Sequence, residues 1–302
     1  MGHHHHQGAA IKGNKLIATI LLNVSITIAQ VIGAIMSSSL SLMTDALHNL
    51  SDVVALVISY IANRLTSKKH TSQQSFGYKR AEILAAFFNA TTLLAISVYL
   101  IVEAIKRLTG ANEVIVQGDV VIWLAVFSVL ANGASVLLIH NDAKNSMNMK
   151  AAYLHLFSDM LSSVAVLIGG VLMLIYDIYW IDSVLSILIG IYLIVASWKL
   201  FIKTIKVLMQ FTPVDLDMEE IVLKITSIDG IKNVHHIHLW QLNDHDYHFE
   251  GHVDMKNDLP LSEVDHLLGK IRECLFHDFS ITHVTIQPEF QVCSDKSIVG
   301  QH

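Results

Sequence analysis

The alternation of apolar and polar positions divides the chain into two unlike parts. Up to about residue 208, apolar runs recur that are about 20 residues or longer, enough to cross a bilayer core. Six can be placed, at roughly Lys15–Met36, Leu40–Leu65, Arg80–Leu108, Gly118–His140, Lys150–Tyr176 and Ile181–Leu208. From Pro213 on, the periods shorten. "VDLDMEEIVLKITSI" sets Met218, Ile221, Ile225 and Ile228 on a helical period. "KNVHHIHLWQL" and "YHFEGHVDM" alternate as strands on either side of the turn-like "NDHD". "PLSEVDHLLGKIRECLF" is a second helix, with Pro260 near its start and Val264, Leu267, Leu268 and Ile271 on one face, and "SITHVTIQPEF" is a third strand. The order αββαβ predicts a small α+β sandwich with its helices on one face of the sheet.

Composition supports this division. The chain is 53% hydrophobic and only 15% charged, which places it among polytopic membrane proteins. Positive charge then orients the spans. Lys12, Lys15, Arg64, Lys68, Lys69, Lys79, Arg80, Lys144, Lys150, Lys199, Lys203 and Lys206 fall to one face, and only Lys106 and Arg107 to the other. Both termini are therefore expected in the cytoplasm. Three regions follow: a His-containing tail over 1–13, a six-helix all-α transmembrane domain over 14–208, and a cytosolic α+β domain over 209–302. No basic block or basic–aromatic stripe appears, so nucleic acid is not an expected partner, whereas membrane lipid is. Cys274 and Cys293 lack a CxxC spacing, which argues against a structural disulfide or a thiolate zinc site. The start, "MGHHHHQGAAIKGNK", has no apolar stretch followed by a cleavage site and is not read as a signal peptide. Its histidines are either a tag remnant or a native metal-catching tail.

The second span carries an unusual load. "TDALHNLSD" sets Asp45, His48 and Asp52 among Leu, Val and Ala, although a charge at the bilayer centre costs about 2.5–3.5 kcal/mol even on the gentler insertion scale. At 100° per residue the three fall within about 60° of one another. The fifth span repeats the device in "AYLHLFSD", with His155 and Asp159 again four apart. Depth agrees, since at 1.5 Å per residue one pair lies roughly 12–18 Å in from outside and the other roughly 8–14 Å in from the cytoplasm. Two imidazoles and two carboxylates make a four-coordinate N/O set suited to Zn²⁺, with Co²⁺ or Cd²⁺ also able to occupy it. Mg²⁺ and Ca²⁺ favour all-oxygen shells. The bland alternative, polar glue between helices, explains one such pair better than two matched ones. Asp45 lies about two turns from Asp52 and is expected to order the site or the path rather than to ligate. Asp182, which opens the sixth span, is expected to be a helix N-cap. No HExxH, GxSxG or Walker loop appears, so an enzyme is not expected.

These residues resemble those of the cation diffusion facilitators, most closely the bacterial zinc/cobalt/cadmium resistance exporters and vertebrate zinc transporters. The resemblance covers nearly the whole chain and is carried by "SLSLMTDALHNLSD", "FGYKRAEILAAFFNA", "AYLHLFSD" followed by "WIDSVLSILIGIYL", and "HHIHLW". It implies a homodimer that exports divalent metal from the cytoplasm in exchange for protons, by alternating access, with His48, Asp52, His155 and Asp159 as the transport site. It also implies a metallochaperone-like C-terminal domain that dimerises and binds further zinc at His235, His252 and Glu289, with Gln287 where some relatives have a ligand. The short loop between the fourth and fifth spans, with only His140 beside it, departs from relatives that carry a His-rich loop there; this and the short chain suggest a bacterial inner membrane. Gln210 stands where an acid often pairs with the basic residue of "FGYKRAE", so that dimer-clamping charge pair of Arg80 is expected either to be absent or to be rerouted to Asp215 or Asp217.

From the residues alone, His252 is expected on a polar strand face with His248, Glu250 and Asp254, while alternation does not assign His235 to a face. His238 and His283 are expected to be structural. The rival reading is a metal-sensing membrane receptor without transport, and a third is a metal-dependent membrane hydrolase. Paired ligands near the midplane favour a translocation path.

Overall fold

The computed structural model describes residues 13–66, 71–110, 115–140, 147–292 and 297–300. The N-terminal histidine run, Lys68, Lys69, Lys144 and Cys293 lie outside the described residues. Six long helices come first: α1 (Gly13–Ser37), α2 (Leu40–Thr66), α3 (Ala81–Leu108), α4 (Gly118–Ile139), α5 (Met147–Tyr176) and α6 (Trp180–Leu208). Then follow α7 (Met218–Thr226), β1 (Ile231–Gln241), β2 (Tyr247–Met255), α8 (Leu261–Phe279) and β3 (Ile281–Glu289). By contact, the chain forms two compact units. One holds the residues up to Ser59 with Phe88–Leu200, and the other holds Tyr60–Phe87 with Phe201 onward.

The first unit is built inside out relative to a water-soluble bundle. Many of its buried positions are small, such as Ala34, Ala46, Ala125, Ser97, Ser128 and Ser135, while Ile32, Phe88, Tyr99, Leu130, Leu137 and Leu188 face outward. Small residues let helix backbones approach closely where lipid supplies no hydrophobic drive between helices. Among the described residues, four helices are long and apolar enough to cross a membrane, in α3, α4, α5 and α6, while the described apolar part of α1 is the shorter Val24–Ser37. The chain is therefore an integral membrane protein with a helical membrane domain.

The turn between α1 and α2 is held from two other helices. Ser38 takes a left-handed backbone (φ 57°), and the Arg107 guanidinium of α3 donates to its carbonyl oxygen at 2.7 Å. The expectation that Asp182 caps its own helix is corrected. Its buried carboxylate instead accepts from the backbone N–H of Leu40 (2.7 Å) and Ser41 (3.2 Å), and from the hydroxyls of Ser39 (2.6 Å) and Ser41 (2.5 Å). These are orphan donors at the start of α2. Asp182 is an N-cap for a helix remote in sequence.

In the second unit the sheet runs β1-β2-β3, with β1 antiparallel and β3 parallel to the central β2. A parallel neighbour needs a crossover, which α8 provides. Both α7 and α8 pack on the sheet through Ile221, Ile225, Ile231, Phe249, Ile271 and Leu275, and they touch each other, so they share a face. The Asp217 side chain accepts from Glu219 N–H at 2.9 Å and caps α7. The charge pair described in the "FGYKRAE" segment belongs to Lys79, which reaches Asp246 at 3.0 Å. The opposite face of the sheet is polar on β2, as expected, but it is largely covered. Glu250 is exposed, but His248 and Asp254 are buried. Trp240 stacks on His248, Phe76 approaches it edge-on, and Gln291 N–H donates to Asp254.

Candidate metal centre

α2 and α5 run antiparallel and face each other in three rungs. Asp45 meets Ser162 (2.9 Å), His48 meets Asp159 (3.2 Å), and Asp52 meets His155 (3.2 Å). Each helix supplies its pair one turn apart, so the four expected side chains converge from two backbones only. Their ligand atoms all lie within 4.8 Å of one another. Both imidazoles present Nε2 to both carboxylates: His48 lies 3.2 Å from Asp159 and 3.6 Å from Asp52, and His155 lies 3.2 Å from Asp52 and 3.7 Å from Asp159. A tetrahedral ion with bonds of about 2.0–2.1 Å has ligand–ligand edges of about 3.3–3.4 Å. The four N–O edges bracket that length.

Exposure along the cluster is graded. Asp45, His48 and Asp159 are buried, whereas the Asp52 and His155 side chains keep 32% and 50% of their surface exposed. Asp45 stands apart from the four. It accepts from Gln30 Nε2 at 2.6 Å, from Ser162 Oγ at 2.9 Å and from Ser163 Oγ at 3.2 Å.

In the second unit, His235 and His252 are register partners on β1 and β2, and both approach Glu289 of β3, at 3.4 and 2.8 Å. Gln287 donates to the same carboxylate at 3.0 Å. The structure adds His236, which sequence reasoning missed. Its ring centroid is 5.1 Å from those of both His235 and His252. Strict alternation would send adjacent strand residues to opposite faces. A bulge between His235 and His238, with His236 at φ 50°, brings the two together. The doubled histidine of "HHIHLW" is the only sequence signal for it. His238 is exposed, while His283 packs on His248 at 4.5 Å. Burial, with His283 and Lys79 nearby, holds His248 below the ordinary imidazole pKa. Burial pushes Asp246 up, but Lys79 and Asn243 outweigh it and hold that carboxyl low.

A helical membrane domain followed by a polar α+β domain, with metal-type donor sets in each, is the build of a membrane cation transporter. Comparison with known proteins agrees. Residues 16–209 match the cation efflux transmembrane domain, and residues 213–291 match the cytoplasmic domain of cation efflux proteins. The chain is 35% identical over its full length to a cadmium, cobalt and zinc/H⁺–K⁺ antiporter of Bacillus subtilis, covering 96% of that protein. It is 33% identical over its full length to the metal cation efflux system protein CzcD of Cupriavidus metallidurans, covering 93%. It is also 33% identical to the zinc transporter ZitB of Pectobacterium atrosepticum, over 98% of this chain and 91% of that one. The chain belongs to the cation efflux family, the cation diffusion facilitators, which are transporters and not enzymes.

Proposed function

We propose that this protein exports divalent metal, Zn²⁺ above all, from the cytoplasm in exchange for protons, as a homodimer in a bacterial plasma membrane. Co²⁺ and Cd²⁺ are further substrates that the same donor set accommodates. In this reading all six long helices span the bilayer with both termini cytoplasmic, and α2 crosses despite its charges because they face a partner helix. The observation that carries the proposal is the set of N–O edges of 3.2 to 3.7 Å among His48, Asp52, His155 and Asp159. Two carboxylates balance the charge of one divalent ion, and two imidazoles set a preference for a borderline metal. The same atoms bind protons once the ion leaves, so one site exchanges two competing cations. The names of the relatives, which include zinc transporters and a proton-coupled antiporter, support this choice. A second zinc position is proposed at His235, His252 and Glu289, with His236 beside it, where binding would act on the cytosolic domain.

The test is Zn²⁺ uptake into proteoliposomes driven by an imposed pH gradient, with Asp159→Ala as control. Flux that needs the gradient and disappears in the variant is expected. A protein that binds zinc but carries none under any gradient would instead be a metal-sensing receptor.

A further inference from the structure

Resting on that transport reading, we propose that Asp45, with Gln30, Ser128, Ser162 and Ser163, forms the closed gate of the ion path, and that its carboxylate is the ion's first foothold when the gate opens. Three observations lead there. The first is the graded exposure along the α2–α5 ladder. The rung of Asp52 and His155 is exposed, the rung of His48 and Asp159 is nearly covered, and Asp45 is fully buried, at 1% exposure.

The second is the hydrogen bonding at the Asp45 rung, where every proton finds a place. Gln30 Nε2 uses one N–H on Asp45 (2.6 Å) and the other on Ser128 Oγ (3.0 Å). Ser162 and Ser163 donate their hydroxyls to Asp45, and Ser128 donates to Ser163 at 2.8 Å. Asn49 Nδ2 donates to Gln30 Oε1 at 2.8 Å and fixes the amide in this orientation. The set joins α1, α2, α4 and α5 around one carboxylate, so these helices cannot part at this level without breaking it.

The third is chemical. The donors that hold Asp45 are neutral, and separating the helices would strip it of them in a poorly solvated interior, which is costly for a carboxylate. A cation one turn away at the His48 rung is what can replace those donors. Opening is therefore favoured when the site is loaded and opposed when it is empty. That asymmetry is what keeps an exchanger from leaking.

The test uses the full-length protein in proteoliposomes, with three readings: Zn²⁺ binding to purified protein, Zn²⁺ flux, and decay of a pH gradient in zinc-free buffer. Asp45→Asn keeps the shape but not the charge. It is expected to bind Zn²⁺ with wild-type stoichiometry, which also reports folding, while its flux falls about tenfold or more. The double variant Ser162→Ala/Ser163→Ala keeps the charge and removes two donors, and it is expected to dissipate the gradient without metal faster than wild type. The gate is overturned if Asp45→Asn carries zinc at the wild-type rate, or if the double variant holds the gradient as wild type does. Loss of zinc binding in Asp45→Asn would also overturn it, because Asp45 would then only position His48. A wild-type protein that carries no zinc at all defeats the transport reading itself, a result distinct from any of these.

Discussion

At the scale of single residues, the four proposed transport ligands divide into a charge-balancing pair and a selecting pair. Asp159→Ala leaves three donors and half the negative charge, so Zn²⁺ affinity should fall by more than the about 10–100-fold typical of losing a residue that merely supports a ligand. Calorimetric titration of the protein in nanodiscs would measure this, and near-native affinity would remove Asp159 from the site. His48→Asp converts two nitrogens and two oxygens into one and three. Preference should shift from Zn²⁺ toward Cd²⁺ or other ions that accept oxygen-richer shells, which competition for uptake would show as a changed ratio. The convergence of these four side chains was legible in the sequence because helical spacing of four sets a histidine and an aspartate on one face, and two helices repeat it. His236 was not legible, because its place depends on a bulge that strand alternation cannot anticipate.

At the scale of elements, apolar run length found the long helices, and periodicity found α7, α8 and the strands, to within a few residues. What they missed were ties between elements distant in sequence. Asp182 is the clearest case, because nothing local distinguishes a cap for its own helix from a cap for another. Asp182→Ala strands several donors at the start of α2 and should cost about 1–3 kcal/mol, read as a lower unfolding temperature, with Asp182→Asn recovering part of it. The polar face of β2 was legible, but its burial was not, since its cover comes from Phe76, Trp240 and Gln291. That burial has a consequence for pH. Unfolded, His248 takes up a proton near its ordinary value of 6.5, while folded it resists one. Acid therefore favours the unfolded form, and this contribution to stability is full above about pH 6.5 and declines below it. Hydrogen exchange of β2 at stepped pH should show protection falling below that value, and His248→Phe should flatten this part of the profile.

At the scale of the whole molecule, the prediction concerns coupling. If one site serves metal and protons in turn, Zn²⁺ affinity must fall as pH drops from about 7.5 to about 5.5, the range where imidazoles titrate, because ligands bind metal only when deprotonated. Isotherms across that range would decide it. A flat curve, with flux still needing a gradient, would place the proton on a different group. The division into a membrane helical domain and a polar α+β domain was legible from hydropathy alone. The finer grouping, in which Tyr60–Phe87 joins the C-terminal residues, was not. It depends on contacts such as Phe87 stacked on Phe201 at 5.6 Å, which no local pattern encodes.

The antiparallel rungs of α2 and α5 also restrict how the two helices can move. A ratchet of one turn, about 5.4 Å, would bring Asp52 opposite Asp159 if α5 slid one way, and His48 opposite His155 if it slid the other. The first register opposes two carboxylates and the second two imidazoles, and neither matches an acid to a base. Only the native register alternates them. Pistoning is thus disfavoured in both directions by the sequence of charges itself, so on the transport reading the two helices part at the Asp45 rung by pivoting about the His48 and Asp52 rungs, which keeps the four donors together.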